Sequence, residues 1–136
     1  MKMKLFVALM GAAIAVSALT GCVSTVSDTH AFGIPLTQDS VEGRYNRSVQ
    51  QVYDAAKAVV KRNGAIVTEY IPHYTTNTVV ALEGRVNQQS VWVRVSAVDP
   101  AKPITSIVVQ ARSKGGLADV ELAHELEKEV ALELAR

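Results

Sequence analysis

"SVWVRVSAVDPAKPITSIVVQAR", residues 90–112, decides the fold. In its first half Val91, Val93, Val95 and Ala97 alternate with Trp92, Arg94 and Ser96. In its second half Ile107, Val109 and Ala111 alternate with Val108, Gln110 and Arg112. A strand sends successive side chains to opposite faces, so each run carries one apolar face and one mixed face. "DPAKP", Asp99–Pro103, separates the runs and holds two prolines, which cannot donate to a ladder and favour a turn. The two runs are predicted to be antiparallel neighbours.

Working outward, Ala65–Ile71 and Thr78–Val86 are further β-branched runs bounded by turn residues, and "VEGRYN" from Val41 supplies a short leading strand. Between them Ser48 and Gln51 have the spacing of a capping box, and Val49, Val52, Tyr53, Ala56, Val59 and Val60 recur at helical period. A helix over Val49–Asn63 follows, with Lys61 and Arg62 in its last turn, where the helix dipole favours cations, and Gly64 expected in a left-handed cap. After "SKGG", the stripe Leu117, Val120, Ala123, Leu126, Val130 and Leu134 predicts a second helix from Leu117 to Ala135. Leu117–Arg136 holds six acidic and two basic side chains, which gives that helix an acidic outer face.

The order β-α-β-β-β-α implies an α+β domain over residues 41–136. It is an antiparallel sheet of three to five strands with both helices packed on one face, because that arrangement buries every apolar stripe. Trp92, Arg94, Ser96, Val108, Gln110 and Arg112 then point away from the helices. Tryptophan and arginine are enriched where proteins bind partners, so Trp92, Arg94, Val108 and Arg112 mark a candidate interaction face; otherwise that face is simply solvated.

The N-terminus carries a different signal. Met1–Lys4 is basic, and Leu5–Leu19 is an apolar run of fifteen residues broken only by Gly11 and Ser17. That is secretory signal anatomy, shorter than the roughly 20 residues a spanning helix needs. Leu19-Thr20-Gly21-Cys22 resembles the lipobox of bacterial lipoproteins: an aliphatic residue, two small residues and a cysteine. The resemblance implies cleavage before Cys22, a diacylglyceryl thioether on its sulfur, and a membrane partner through that lipid. Val23 after the cysteine implies, by the same resemblance, the outer membrane with the domain facing the periplasm. The competing expectation is ordinary cleavage after Ala18, which leaves Cys22 a free thiol. Residues 1–21 thus read as a signal peptide and 22–40, rich in Ser, Thr, Asp, Gly and Pro, as a lipidated flexible tether. Ser-x-x-Gln ahead of "VYDAAKAVV", then "ALEGRVNQQSVWVRV" and "SIVVQARSKGGLADVELAHELEKEV", resemble a family of small uncharacterised bacterial lipoproteins over Val41–Leu134. Membership implies the same fold and no known reaction.

Composition removes several function classes. Cys22–Arg136 holds 12 basic and 13 acidic side chains, too balanced for a nucleic-acid partner. One cysteine excludes an internal disulfide and a Cys-based zinc cluster within one chain. His30, His73 and His124 show no metal-ligand spacing apart from Glu121 and Glu125 near His124, no serine sits in a nucleophile elbow, and no cofactor motif occurs. Ser113-Lys114-Gly115-Gly116 lacks the spacing of a nucleotide cradle and reads as a strand-to-helix loop. Two functions remain: a non-catalytic binding or structural module with an envelope protein partner, or a small periplasmic enzyme or ligand binder. The second would assemble its site from Glu69, Tyr70, His73, Tyr74 and Glu83.

Overall fold

A computed structural model describes residues 21–27, 30–33, 39–70 and 79–136. Its elements run β1 (Gly21–Ser24), β2 (His30–Gly33), β3 (Ser40–Tyr45), α1 (Val49–Asn63), β4 (Gly64–Tyr70), β5 (Val79–Val86), β6 (Gln89–Asp99), β7 (Ile104–Arg112) and α2 (Val120–Leu134). β3 to β7 form one antiparallel sheet in the order β3-β7-β6-β5-β4, and β1 pairs with β2 in a separate two-stranded ribbon. The domain is the expected α+β arrangement, with five strands and two helices. Residues 1–20, which include most of the expected signal peptide, lie outside the described residues, as do His73 and Tyr74.

Alternation along β6 and β7 sets the layers. Val91 faces Ala111, Val93 faces Val109 and Val95 faces Ile107 across the ladder, and all six are buried. Leu82 and Val86 of β5 extend this surface. Val52, Ala56, Val59 and Val60 of α1 and Leu122, Ala123, Leu126 and Val130 of α2 close over it in one continuous core. α1 rests on β4, β5 and β6, while α2 rests on β7 and β3, so both helices cover the same face.

Local chemistry fixes the helix ends. The Ser48 hydroxyl accepts the Gln51 N–H at 3.2 Å, and the Gln51 side-chain oxygen accepts the Ser48 N–H at 3.1 Å, the reciprocal pair of a capping box. The other end departs from expectation. Gly64 has φ −176°, extended rather than left-handed, and is already the first residue of β4. Its need for glycine is steric, because a Cβ there would lie 2.0 Å from the Arg85 carbonyl oxygen. α2 also starts later than its apolar stripe. Ser113 donates to the Leu117 carbonyl and Asp119 to that of Ala111, each at 2.9 Å, so the chain stays tied to the end of β7. Leu117 is left exposed, and Asp119 caps the helix by accepting the Leu122 N–H at 2.9 Å.

Two long-range details hold the helices to each other and to the sheet. Arg62 near the end of α1 pairs with Glu133 of α2 at 2.5 Å, and Asn63 donates to Glu129 at 2.8 Å. Gly84 in β5 lies under α1, where a Cβ would sit 2.6 Å from Val60 Cγ1 and 2.9 Å from the Ala65 carbonyl oxygen. Gly84→Ala is therefore expected to cost about 1–3 kcal/mol in urea unfolding by forcing α1 off the sheet. A loss below a few tenths would show that the helix shifts freely.

Candidate functional site

The register of the sheet lays out the face away from the helices row by row. Ser40, Gln110, Trp92, Glu83 and Thr68 share one row, and Glu42, Val108, Arg94, Ala81 and Tyr70 the next. Arg112, Ser90 and Arg85 lie beyond the first row, towards the β5–β6 turn. Trp92, Arg94, Val108 and Arg112 thus occupy one surface, as the alternation requires. The surface is not open. Trp92 is 4% exposed, Gln110 2% and Arg112 4%, while Arg94 and Val108 are half-buried.

Part of the cover comes from the segment expected to be a loose tether. Thr25 and Ser27, just after β1, are buried; the Val26 N–H donates to Gln110 Oε1 at 3.1 Å. Asp39, one residue before β3, accepts Gln110 Nε2 at 2.6 Å and the Arg112 guanidinium through Nη2 on the same carboxylate oxygen. Residues 22–40 are therefore not a plain linker: they contain β1 and β2 and are pinned to the sheet at both described ends. Ser27 and Asp39 find partners more than 50 residues away, which no local period in the sequence records.

Arg112 is the electrostatic centre of this face. Burial pulls its pKa down, yet guanidinium remains charged in proteins. Asp39 supplies the counter-charge, while Arg112 Nε and Nη1 are buried with no hydrogen-bond partner among the described residues. Sequence reading placed Arg112 on this face and missed Asp39. No local signal in the sequence pairs the two, because Asp39 lies 73 residues before Arg112.

Of the alternative set, His73 and Tyr74 lie outside the described residues, and Glu69 and Glu83 do not converge. Glu69 pairs in register with Leu82 and so points to the helix side. There it accepts the Tyr53 hydroxyl at 2.6 Å and Lys57 Nζ at 2.8 Å. Glu83 faces Trp92 on the opposite side and accepts the Tyr70 hydroxyl at 3.4 Å. The sheet separates the two carboxylates, so they cannot share a pocket. His124 is exposed on α2, and no three potential metal ligands cluster among the described residues. Cys22 lies in β1, opposite Phe32. No protein-family model matches the chain, and no curated protein matches it significantly.

Carboxylates elsewhere are held below their usual range: Glu69 by Lys57 and Tyr53, Glu133 by Arg62, Glu42 by Arg44 and Ser106, and Asp119 by the Leu122 N–H and Gln89. A carboxylate depressed in the folded state adds stability above its unfolded value and loses it as pH falls through the folded one. Melting temperature is accordingly expected to decline as pH drops below 4.5, the ordinary glutamate value. A melting temperature unchanged down to pH 3 would contradict these pairings.

Asp39→Asn leaves Arg112 buried without its counter-charge and is expected to cost about 3 kcal/mol in chemical unfolding. Combining it with Arg112→Met should recover most of that loss. Additive losses in the double variant would break the assignment.

Proposed function

We propose that this chain is an envelope lipoprotein, acylated on Cys22, whose α+β domain acts as a non-catalytic binding or structural module at the membrane surface. The observation that carries the reading is the position of the single cysteine. Cys22 follows a basic start, an apolar run and the small pair Thr20-Gly21, where a thiol can take a diacylglyceryl group and a peptidase can reach the backbone. Two or three acyl chains would hold the protein durably, since each buried methylene contributes about 0.8 kcal/mol and stable anchoring takes more than one chain. Among the described residues no helix is long and apolar enough to cross a membrane. Val23 favours the outer membrane, with the domain in the periplasm and a protein partner in the envelope.

The separation of Glu69 from Glu83 by the sheet weighs against the enzyme or ligand-binding alternative. The half-buried part of the far face, Arg94 and Val108 with Glu42 and Tyr70 in its row, is the surface this reading offers to a partner.

Intact mass spectrometry of the mature protein should find its N-terminus at Cys22 carrying acyl chains. Cys22→Ser should release the protein from membranes or stall it as the precursor. A mature chain beginning at Leu19 with a free thiol would overturn the proposal.

A further inference from the structure

β1 and β2 pair with each other, and neither strand packs extensively on the main sheet or on either helix. The loop after β1 is the part fastened to the domain, through the buried Thr25 and Ser27 and the Val26 N–H on Gln110. A free two-stranded ribbon is at best marginally stable in water, so this one needs a further surface to lie against.

Its composition selects the kind of surface. Neither strand carries a carboxylate, a lysine or an arginine. Ala31–Leu36 reads "AFGIPL", the longest stretch without a polar side chain between Cys22 and Val41, and it begins in β2. Such a segment suits an apolar neighbour rather than a charged one.

The register identifies that neighbour. Cys22 lies directly opposite Phe32, and Val23 opposite Ala31. Opposed Cα atoms in an antiparallel ladder are about 4.5–5.5 Å apart. A diacylglyceryl thioether joins the Cys22 sulfur straight to the acyl chains, so it holds the Cys22 backbone at the level of the headgroups. The Phe32 backbone is held there with it. Cleavage before Cys22 removes Gly21, the partner of Gly33, and makes Cys22–Phe32 the last pair of the ribbon. Apolar faces at this level sink about 5–10 Å into the boundary between headgroups and acyl chains.

We infer that Phe32 enters the bilayer beside the acyl chains of Cys22, so that the open end of the β1–β2 ribbon is a second, non-covalent membrane contact. This rests on the proposed acylation of Cys22. The loop end of the ribbon is held on the domain, so depth falls along β2. His30, opposite Ser24 and two residues from Phe32, stands about 7 Å further from the lipid.

The chain has one cysteine, and in this reading its sulfur carries the lipid, so an introduced cysteine is the sole free thiol. Full acylated protein with Phe32→Cys, His30→Cys or Glu125→Cys is labelled with nitrobenzoxadiazole and placed in vesicles of phosphatidylethanolamine and phosphatidylglycerol with brominated acyl chains. At residue 32 the emission should shift to the blue relative to the soluble protein that also carries Cys22→Ser, and should be lost to the bromine. The loss should be smaller at residue 30 and absent at residue 125, which is exposed on α2. Unchanged emission at residue 32, the result if this segment packs on the domain instead, would overturn the inference, as would quenching at residue 30 as deep as at residue 32. Hydrogen exchange repeats the comparison without a label: amides of residues 31–33 should slow on vesicles relative to the Cys22→Ser protein, and equal exchange would count against insertion. Flotation of the same samples reads anchoring separately. Protein that floats with residue 32 unquenched fails only here, whereas protein that never floats removes the acylation and this contact together.

Discussion

Val93 against Val109, both nearly inaccessible at the centre of the β6–β7 ladder, is the contact on which the remaining architecture depends. Full burial of one such side chain contributes about 1.5–3 kcal/mol, and six residues from these two strands face the helices together. That surface can be covered only by apolar stripes of matching size. α1 and α2 are the two stripes, and their placement on one side leaves the opposite side to polar chemistry. The close approach of Val60 to Gly84 shows how little space the covering layer leaves.

The opposite side is where the energetics become unusual. A two-layer α+β domain ordinarily leaves its outer sheet face to water. Here Trp92, Gln110 and Arg112 have been taken out of water, and a carboxylate from just before β3 compensates the cation. Removing a charge from solvent costs several kcal/mol, and one ion pair rarely returns all of it, so this arrangement is better read as specifying a position than as adding stability. What it positions is the segment that joins Cys22 to the domain.

Much of the domain was legible in the sequence because its signals are local. Ser48 and Gln51 lie three residues apart and define the start of α1 without outside help, and the alternation along residues 90–112 determines both strands and their facing. The misses share a cause. Gly64 looked like a left-handed cap, but its requirement comes from Arg85 on a neighbouring strand. Leu117 fits the helical stripe, yet the pull of β7 on the chain through Asp119 keeps it outside the helix. Glu69 and Glu83 each fall on a strand, but the face Glu69 takes depends on an extra residue: the β4–β5 register shifts between Ile66 and Thr68. For the candidate site, sequence placed Arg112 and left its partner unseen, since Asp39 is 73 residues away.

The strand order also has a kinetic side. β4, β5, β6 and β7 are successive neighbours, so their ladders close short loops and can form as a meander. β3 instead pairs with β7 across α1 and three strands, and Val26 reaches its partner 84 residues downstream. Loop-closure entropy places these contacts late in folding. A chain that crosses a membrane N-terminus first therefore presents residues 22–40 long before Gln110 and Arg112 arrive to receive them. The proposed acylation of Cys22 would have its widest window while this end is still unfolded, and the strap that later fastens it completes the molecule rather than starting it.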